Sequence, residues 1–184
     1  MKKIILALAL LAAAPQVQAK GGDSEYKVVV VKNEATGNVC YEQVTMVEGV
    51  AKQEMFNRAK KWIIANLKTN DNNIAFDETA SSISNTATVV LKPASGFNWA
   101  ITSGMINFKL NMQFKEGRYK FAFDNIVVQV AYADGIVETL NYDQIQRNNK
   151  PAKHIKKEVN EKLLAIAMQL ETAIKQGNTG NDNW

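Results

Sequence analysis

Cys40 and His154 are the only cysteine and the only histidine in a chain of 184 residues. A thiol beside an imidazole is the smallest side-chain set that can run nucleophilic catalysis. Nothing in their spacing brings the two within hydrogen-bond reach, so Cys40 reads as a buried core residue, a common state of an unpaired thiol. His154 reads as a surface residue at the start of a basic helix. A single histidine excludes a histidine-rich zinc site and confines any Ser-His-Asp or Cys-His hydrolase to His154. The acids and amides Asp71, Asn72, Asn73, Asp77 and Glu78 are rich in oxygen, the donor of hard cations. They lack the alternating acids, central glycine and terminal glutamate of an EF-hand loop, and so read as a polar loop. Glycine-rich dinucleotide and P-loop signatures are absent too. No catalytic, cofactor or metal residue is assigned, and without a nucleophile, base and electrophile stabiliser in order the chain reads as a non-enzyme.

Other residues suit binding. Phe97 and Trp99 fall in residues 94–103, whose Gly96 and Asn98 predict a loop; loop aromatics form a binding rim or pack over a sheet edge. Arg147, Lys150, Lys153, Lys156, Lys157 and Lys162 are the densest positive region, on or before the last helix. Such a run attracts anionic lipid or another polyanion, or is simply a solvated helix face. Phe108, Met112, Phe121 and Phe123 could line a pocket for a small apolar ligand between the sheet and the last helix, or fill a core.

The elements that position these residues follow from periodicity. Valine-rich residues 26–32 and 39–47, separated by turn formers around Gly37, predict a hairpin. Residues 52–68 place Met55, Phe56, Ala59, Trp62, Ile63 and Leu67 at helical intervals, and the polar run 69–73 ends that helix. Strand patterns follow at 74–77 and 82–91. Residues 105–115 alternate strictly, with Ile106, Phe108, Leu110, Met112 and Phe114 on one face and Asn107, Lys109, Asn111, Gln113 and Lys115 on the other. Glu116 and Gly117 turn this strand into residues 118–132. There Tyr119, Phe121 and Phe123 are out of phase with Ile126, Val128 and Val130, and a bulge near Asp124 and Asn125 restores the phase and curves the sheet. Residues 136–142 add a short strand. Pro151 opens a long helix whose stripe of Ile155, Val159, Leu163, Ile166, Leu170 and Ile174 ends at Gly177. The polar tail 177–184 is expected to be disordered.

The N-terminus sets the address. Lys2 and Lys3 precede an apolar run over residues 4–14, and Val17, Gln18 and Ala19 lead to a cleavage point after Ala19, the order of a secretory signal peptide. The run is far short of the roughly 20 residues that span a bilayer. Cys40 lies too far downstream for a lipid anchor. The expectation is therefore a protein that is soluble once cleaved, with no transmembrane segment in the mature chain, in the periplasm or outside the cell. The formal net charge of +4 falls to about +2 once Lys2 and Lys3 are removed. Arg58, Arg118 and Arg147 are the only arginines, too few for the clustered contacts of a nucleic-acid binder. Nucleic acid is excluded as a partner.

Tyr41-Glu42-Gln43-Val44, the run from Val47 to Lys52, Met55 through Trp62, and Gly117-Arg118-Tyr119-Lys120-Phe121 together resemble an exported bacterial family, domain of unknown function 4468, over roughly residues 39–132. The resemblance implies a fold like that of the TATA-binding protein. The family has no assigned catalytic or binding residues to transfer, and the name of a fold does not confer DNA binding.

The expected architecture is α+β: a curved antiparallel sheet packed on one helix, plus a long C-terminal helix that either docks on the same core or projects toward a partner. The expected organisation is a signal peptide at 1–19, an α+β domain at 20–142, a helical segment at 143–176 and the tail. The expected function is a non-enzymatic binding module of the bacterial cell envelope with an unknown protein or envelope component as partner. A carrier of a small apolar ligand is the alternative.

Overall fold

Alternating strand patterns become an antiparallel sheet of eight strands in a computed structural model that describes residues 29–33, 37–67 and 74–177. The expected signal peptide, the start of the first predicted strand, residues 71–73 and the tail from 178 lie outside the described residues. In chain order the elements are β1 (Val29–Lys32), β2 (Val39–Met46), α1 (Lys52–Asn66), β3 (Ile74–Asp77), β4 (Ser82–Leu91) and β5 (Ala94–Gly96). They continue as β6 (Trp99–Lys115), β7 (Arg118–Tyr132), β8 (Val137–Asn141), a 3-10 turn (Tyr142–Gln144) and α2 (Lys150–Gln176). The strand order is β1-β2-β7-β6-β4-β3, with β5 beside β6 and β8 beside β7.

The sheet has a dry face and a wet face. In β6, Ile106, Phe108, Leu110, Met112 and Phe114 are buried, while Lys109, Gln113 and Lys115 are exposed. Both helices cover the dry face. Phe56 of α1 meets Phe114 edge to face at 5.7 Å, and Ile155, Val159, Leu163 and Leu170 of α2 join the same buried cluster. The C-terminal helix therefore docks on the core. Among the described residues no helix lies on the wet face, and none is long and apolar enough to cross a membrane.

The phase conflict in β7 is resolved by the expected bulge. The register with β6 shifts between Asn107 and Lys109, opposite residues 124–127, and Asn125 takes a left-handed φ of 50°. Asparagine tolerates that conformation because its short polar side chain bonds locally. Tyr119, Phe121, Phe123, Ile126, Val128 and Val130 consequently all reach the core.

One expectation is overturned. Residues 94–103 are not a loop: β5 pairs with the start of β6, Gly96 opposite Trp99, around a tight turn of Phe97 and Asn98 in which Asn98 has φ 64°. Glycine and asparagine here are the residues that a short hairpin turn demands, and composition alone does not separate that use from a loop.

The helix ends are held from outside. The Asn149 side chain accepts a bond from the Ala152 N–H at 3.0 Å, Pro151 sits in the first turn, and Gly177 closes α2 with φ 72°. At that end Arg58 of α1 donates to the carbonyls of Ile174 at 2.9 Å and Lys175 at 3.2 Å. Midway, the hydroxyls of Tyr41 on β2 and Tyr142 stand 2.8 Å apart, and both reach the Asn160 carboxamide oxygen of α2.

Candidate functional site

The hairpin of β5 and β6 carries Phe97 at its tip, 87% exposed, while Trp99 is half-buried beneath it. A Cβ at Gly96 would stand 2.4 Å from the indole nitrogen of Trp99, so glycine is what lets the ring lie against the opposing strand. The other neighbour of the indole is His154 on the first turns of α2, with ring centroids 6.4 Å apart. The base of the hairpin is fixed from the same helix. With the proton assigned to Nε2, His154 donates to the Lys92 carbonyl at 2.9 Å. The Lys92 N–H in turn donates to the buried Glu158 carboxylate at 3.1 Å. Successive turns of α2 thus hold both backbone groups of the residue before Pro93. Phe97 is presented on a braced support.

The same geometry places the basic residues. Lys150, Lys153 and Lys157 are exposed and share a flank with His154, since residues three or four apart lie one above another on a helix. Lys157 is 3.7 Å from Glu161, and Arg147 is paired with Glu138 at 3.1 Å. Lys156 and Lys162 are half-buried. Through the contact of Trp99 with His154, the structure joins the aromatic pair to the basic start of α2, a juxtaposition the linear sequence does not contain. His154 is half-buried rather than a free surface residue.

Other candidates fall to structural roles. Phe108 and Phe123 pack edge to face at 5.4 Å, Phe121 lies 5.3 Å from Phe123, and these three with Met112 are at most 1% exposed. The pocket residues of the carrier reading are packed core. Asp77 accepts a turn bond from the Ala80 N–H at 2.8 Å, and Glu78 pairs with Lys60 at 3.4 Å. Among the described residues no group of three or more His, Cys, Asp or Glu is placed to hold a metal ion.

Cys40 is 3% exposed and belongs to the wet face, because its neighbour Tyr41 shares the helix-side parity of its register partner Phe123. The sheet therefore separates Cys40 from His154 and α2. Burial first, then the carboxylates of Asp124 and Glu42, push the thiol up to about 11. A folded-state value above the unfolded one means that this contribution to stability is intact below the unfolded value near 9.0 and is lost as pH rises through about 11. At about pH 8 the native thiolate population is about a hundredfold below that of an ordinary cysteine. Iodoacetamide is therefore expected to alkylate the native protein at least about tenfold more slowly than the denatured chain. Equal rates in the two states would contradict the placement of Cys40.

The wet face has two depressions that sequence reasoning missed. One, of about 490 Å³, is bordered by Val90, Met105 and Val137, which are 68%, 45% and 60% exposed. The other, of about 650 Å³, gathers side chains of β1, β2, β6 and β7 around Cys40. In sequence the second shows only as the polar alternates of separate strands, with no local signal that register would join them.

Comparison with known proteins places this geometry. Residues 41–129 match the family described as "Domain of unknown function (DUF4468) with TBP-like fold". A TBP-like protein from Parabacteroides distasonis ATCC 8503 is similar in structure, with a TM-score of 0.64 at 18% identity over 79% of this chain and 97% of that one. A DUF4468 family protein from Bacteroides ovatus ATCC 8483 gives 0.58 at 14% identity over 88% of this chain and 100% of that one. No curated protein matches the chain.

Proposed function

With its core matching the DUF4468 family and its fold TBP-like, we propose that this chain is a non-enzymatic binding module exported to the bacterial cell envelope. It holds a protein or another envelope component through the tip of the β5–β6 hairpin and the basic first turns of α2. One observation carries the reading: Phe97 stands 87% exposed on a hairpin that Trp99, Gly96 and His154 brace. Burying a phenylalanine side chain is worth about 1.5–3 kcal/mol, and a pre-ordered support lets a partner gain that without first ordering the loop. Lysines on the adjoining flank add attraction to an acidic partner surface. The signal-peptide pattern of the first 19 residues supports the address.

Retention of envelope components on the immobilised protein, compared across variants, tests this. Phe97→Ser removes an exposed ring that supports nothing else, so it is expected to abolish retention while leaving the thermal midpoint unchanged. Trp99→Ala loosens the support and is expected to weaken retention together with stability. Retention that is the same for wild type and Phe97→Ser would end the proposal.

A further inference from the structure

On the wet face, β1, β2, β6 and β7 curve around the concavity of about 650 Å³, within the roughly 300–1,000 Å³ of small-molecule sites. Its lining holds as many acids as bases, Glu42 and Asp124 against Lys32 and Lys120. The central polar groups are already engaged inside the protein. Lys120 Nζ lies 2.6 Å from Glu42 Oε1. Asp124, only 7% exposed, accepts from Asn33 Nδ2 at 2.6 Å on one oxygen and from the Asn125 N–H at 2.7 Å on the other. With Lys32, exposed at the rim, counted against Asp124, the lining as a whole carries no net charge and favours neither sign of ligand.

Beside these charges the concavity offers neutral hydrogen bonding. Asn111 accepts from the Ser84 hydroxyl at 3.1 Å through Oδ1, which fixes its carboxamide and leaves the amide N–H groups as donors. Gln113, exposed beside it, supplies a donor and an acceptor together. The paired carboxylates keep spare lone pairs. Val31, Ala122 and the buried Cys40 add small apolar surface. A ligand whose groups each donate and accept, with no net charge and with C–H faces, satisfies such a lining.

We propose that this concavity binds a neutral oligosaccharide. No aromatic ring lines it, so the sugar gains no stacking and affinity is in the millimolar range. The site goes beyond the hairpin reading: it lies on the other face of the sheet and shares no residue with it.

Titration of the purified protein with maltotriose, chitotriose, glycylglycine and inorganic phosphate, each followed by amide chemical shifts, tests the assignment. At least one trisaccharide is expected to move the amides of Glu42, Asn111, Gln113 and Ala122 saturably. Gln113→Ala, at an exposed position, is expected to weaken that binding about fivefold, the loss of one hydrogen bond, and Phe97→Ser to leave it unchanged. Glu42→Gln frees Lys120 and is expected to bring in phosphate binding that the wild type lacks. The proposal is overturned if neither trisaccharide moves these amides, if glycylglycine or phosphate binds the wild type more tightly, or if Gln113→Ala binds as well as wild type.

Discussion

Phe121→Ala is expected to cost about 3–5 kcal/mol of folding stability. Phe121 is fully buried, with the ring of Phe123 at 5.3 Å and that of Tyr119 at 6.5 Å, and it faces Met112 across the pairing of β6 with β7. Truncation removes the transfer free energy of the ring and leaves a void that long, mutually paired strands cannot collapse to fill. Urea denaturation monitored by far-UV circular dichroism measures the loss. The number also decides between two uses of the same residues. If Phe108, Met112, Phe121 and Phe123 lined a ligand chamber, enlarging it would remove few protein contacts. A cost below about 1 kcal/mol would therefore revive the carrier reading.

Arg58→Ala is expected to cost about 2–3 kcal/mol, through one guanidinium that serves two helices. Its Nη1 reaches the carbonyls of Ile174 and Lys175, and its Nε pairs with Glu54 at 2.6 Å on the exposed side of α1. Hydrogen bonds to a charged group are worth about 1.5–3 kcal/mol, and a cation at a helix C-terminus adds about 0.3–1 kcal/mol through the dipole. Arg58→Lys keeps the charge but not the fork and should fall between alanine and wild type. Hydrogen exchange gives an independent readout, with amides of the last turn of α2 losing protection first. A loss in Arg58→Ala under about 0.5 kcal/mol, the usual scatter of surface substitutions, would mean that the cap is ornamental.

The parts of this molecule legible in sequence are those set by local periodicity. The alternation around Phe108 marked the dry face of β6, the stripe from Ile155 to Ile174 marked the buried side of α2, and the conflict between Phe123 and Ile126 marked a bulge found at Asn125. What escaped depends on partners distant in the chain. Gly96 and Asn98 looked like loop residues because the strand that pairs with Gly96 begins only at Trp99, just past the turn that holds Asn98. The contact of Trp99 with His154 needs α2 to return across the sheet. The wet concavity needs the registers of two strand pairs before Glu42, Lys120 and Asn111 become neighbours. Phe97 and the lysines of α2 were visible as residue types, but not as one surface.

The left-handed residue in β7 has a consequence for how this chain can vary. Side chains alternate with a strict period of two, and Asn125 is the extra residue that the bulge absorbs, so deleting it would leave the later positions of the strand in phase with Phe123 on a regular ladder. Ile126, Val128 and Val130, now in the core, would remain there, and the strand would lose the bend that the bulge gives it. An added residue between Ile126 and Tyr132 would instead turn the side chains beyond it to the other face, in the stretch of β7 that pairs with β8. Length changes in descendants of this sequence thus fit the turns between strands or the bulge itself, where a lost asparagine removes curvature and leaves the phase of the strand intact.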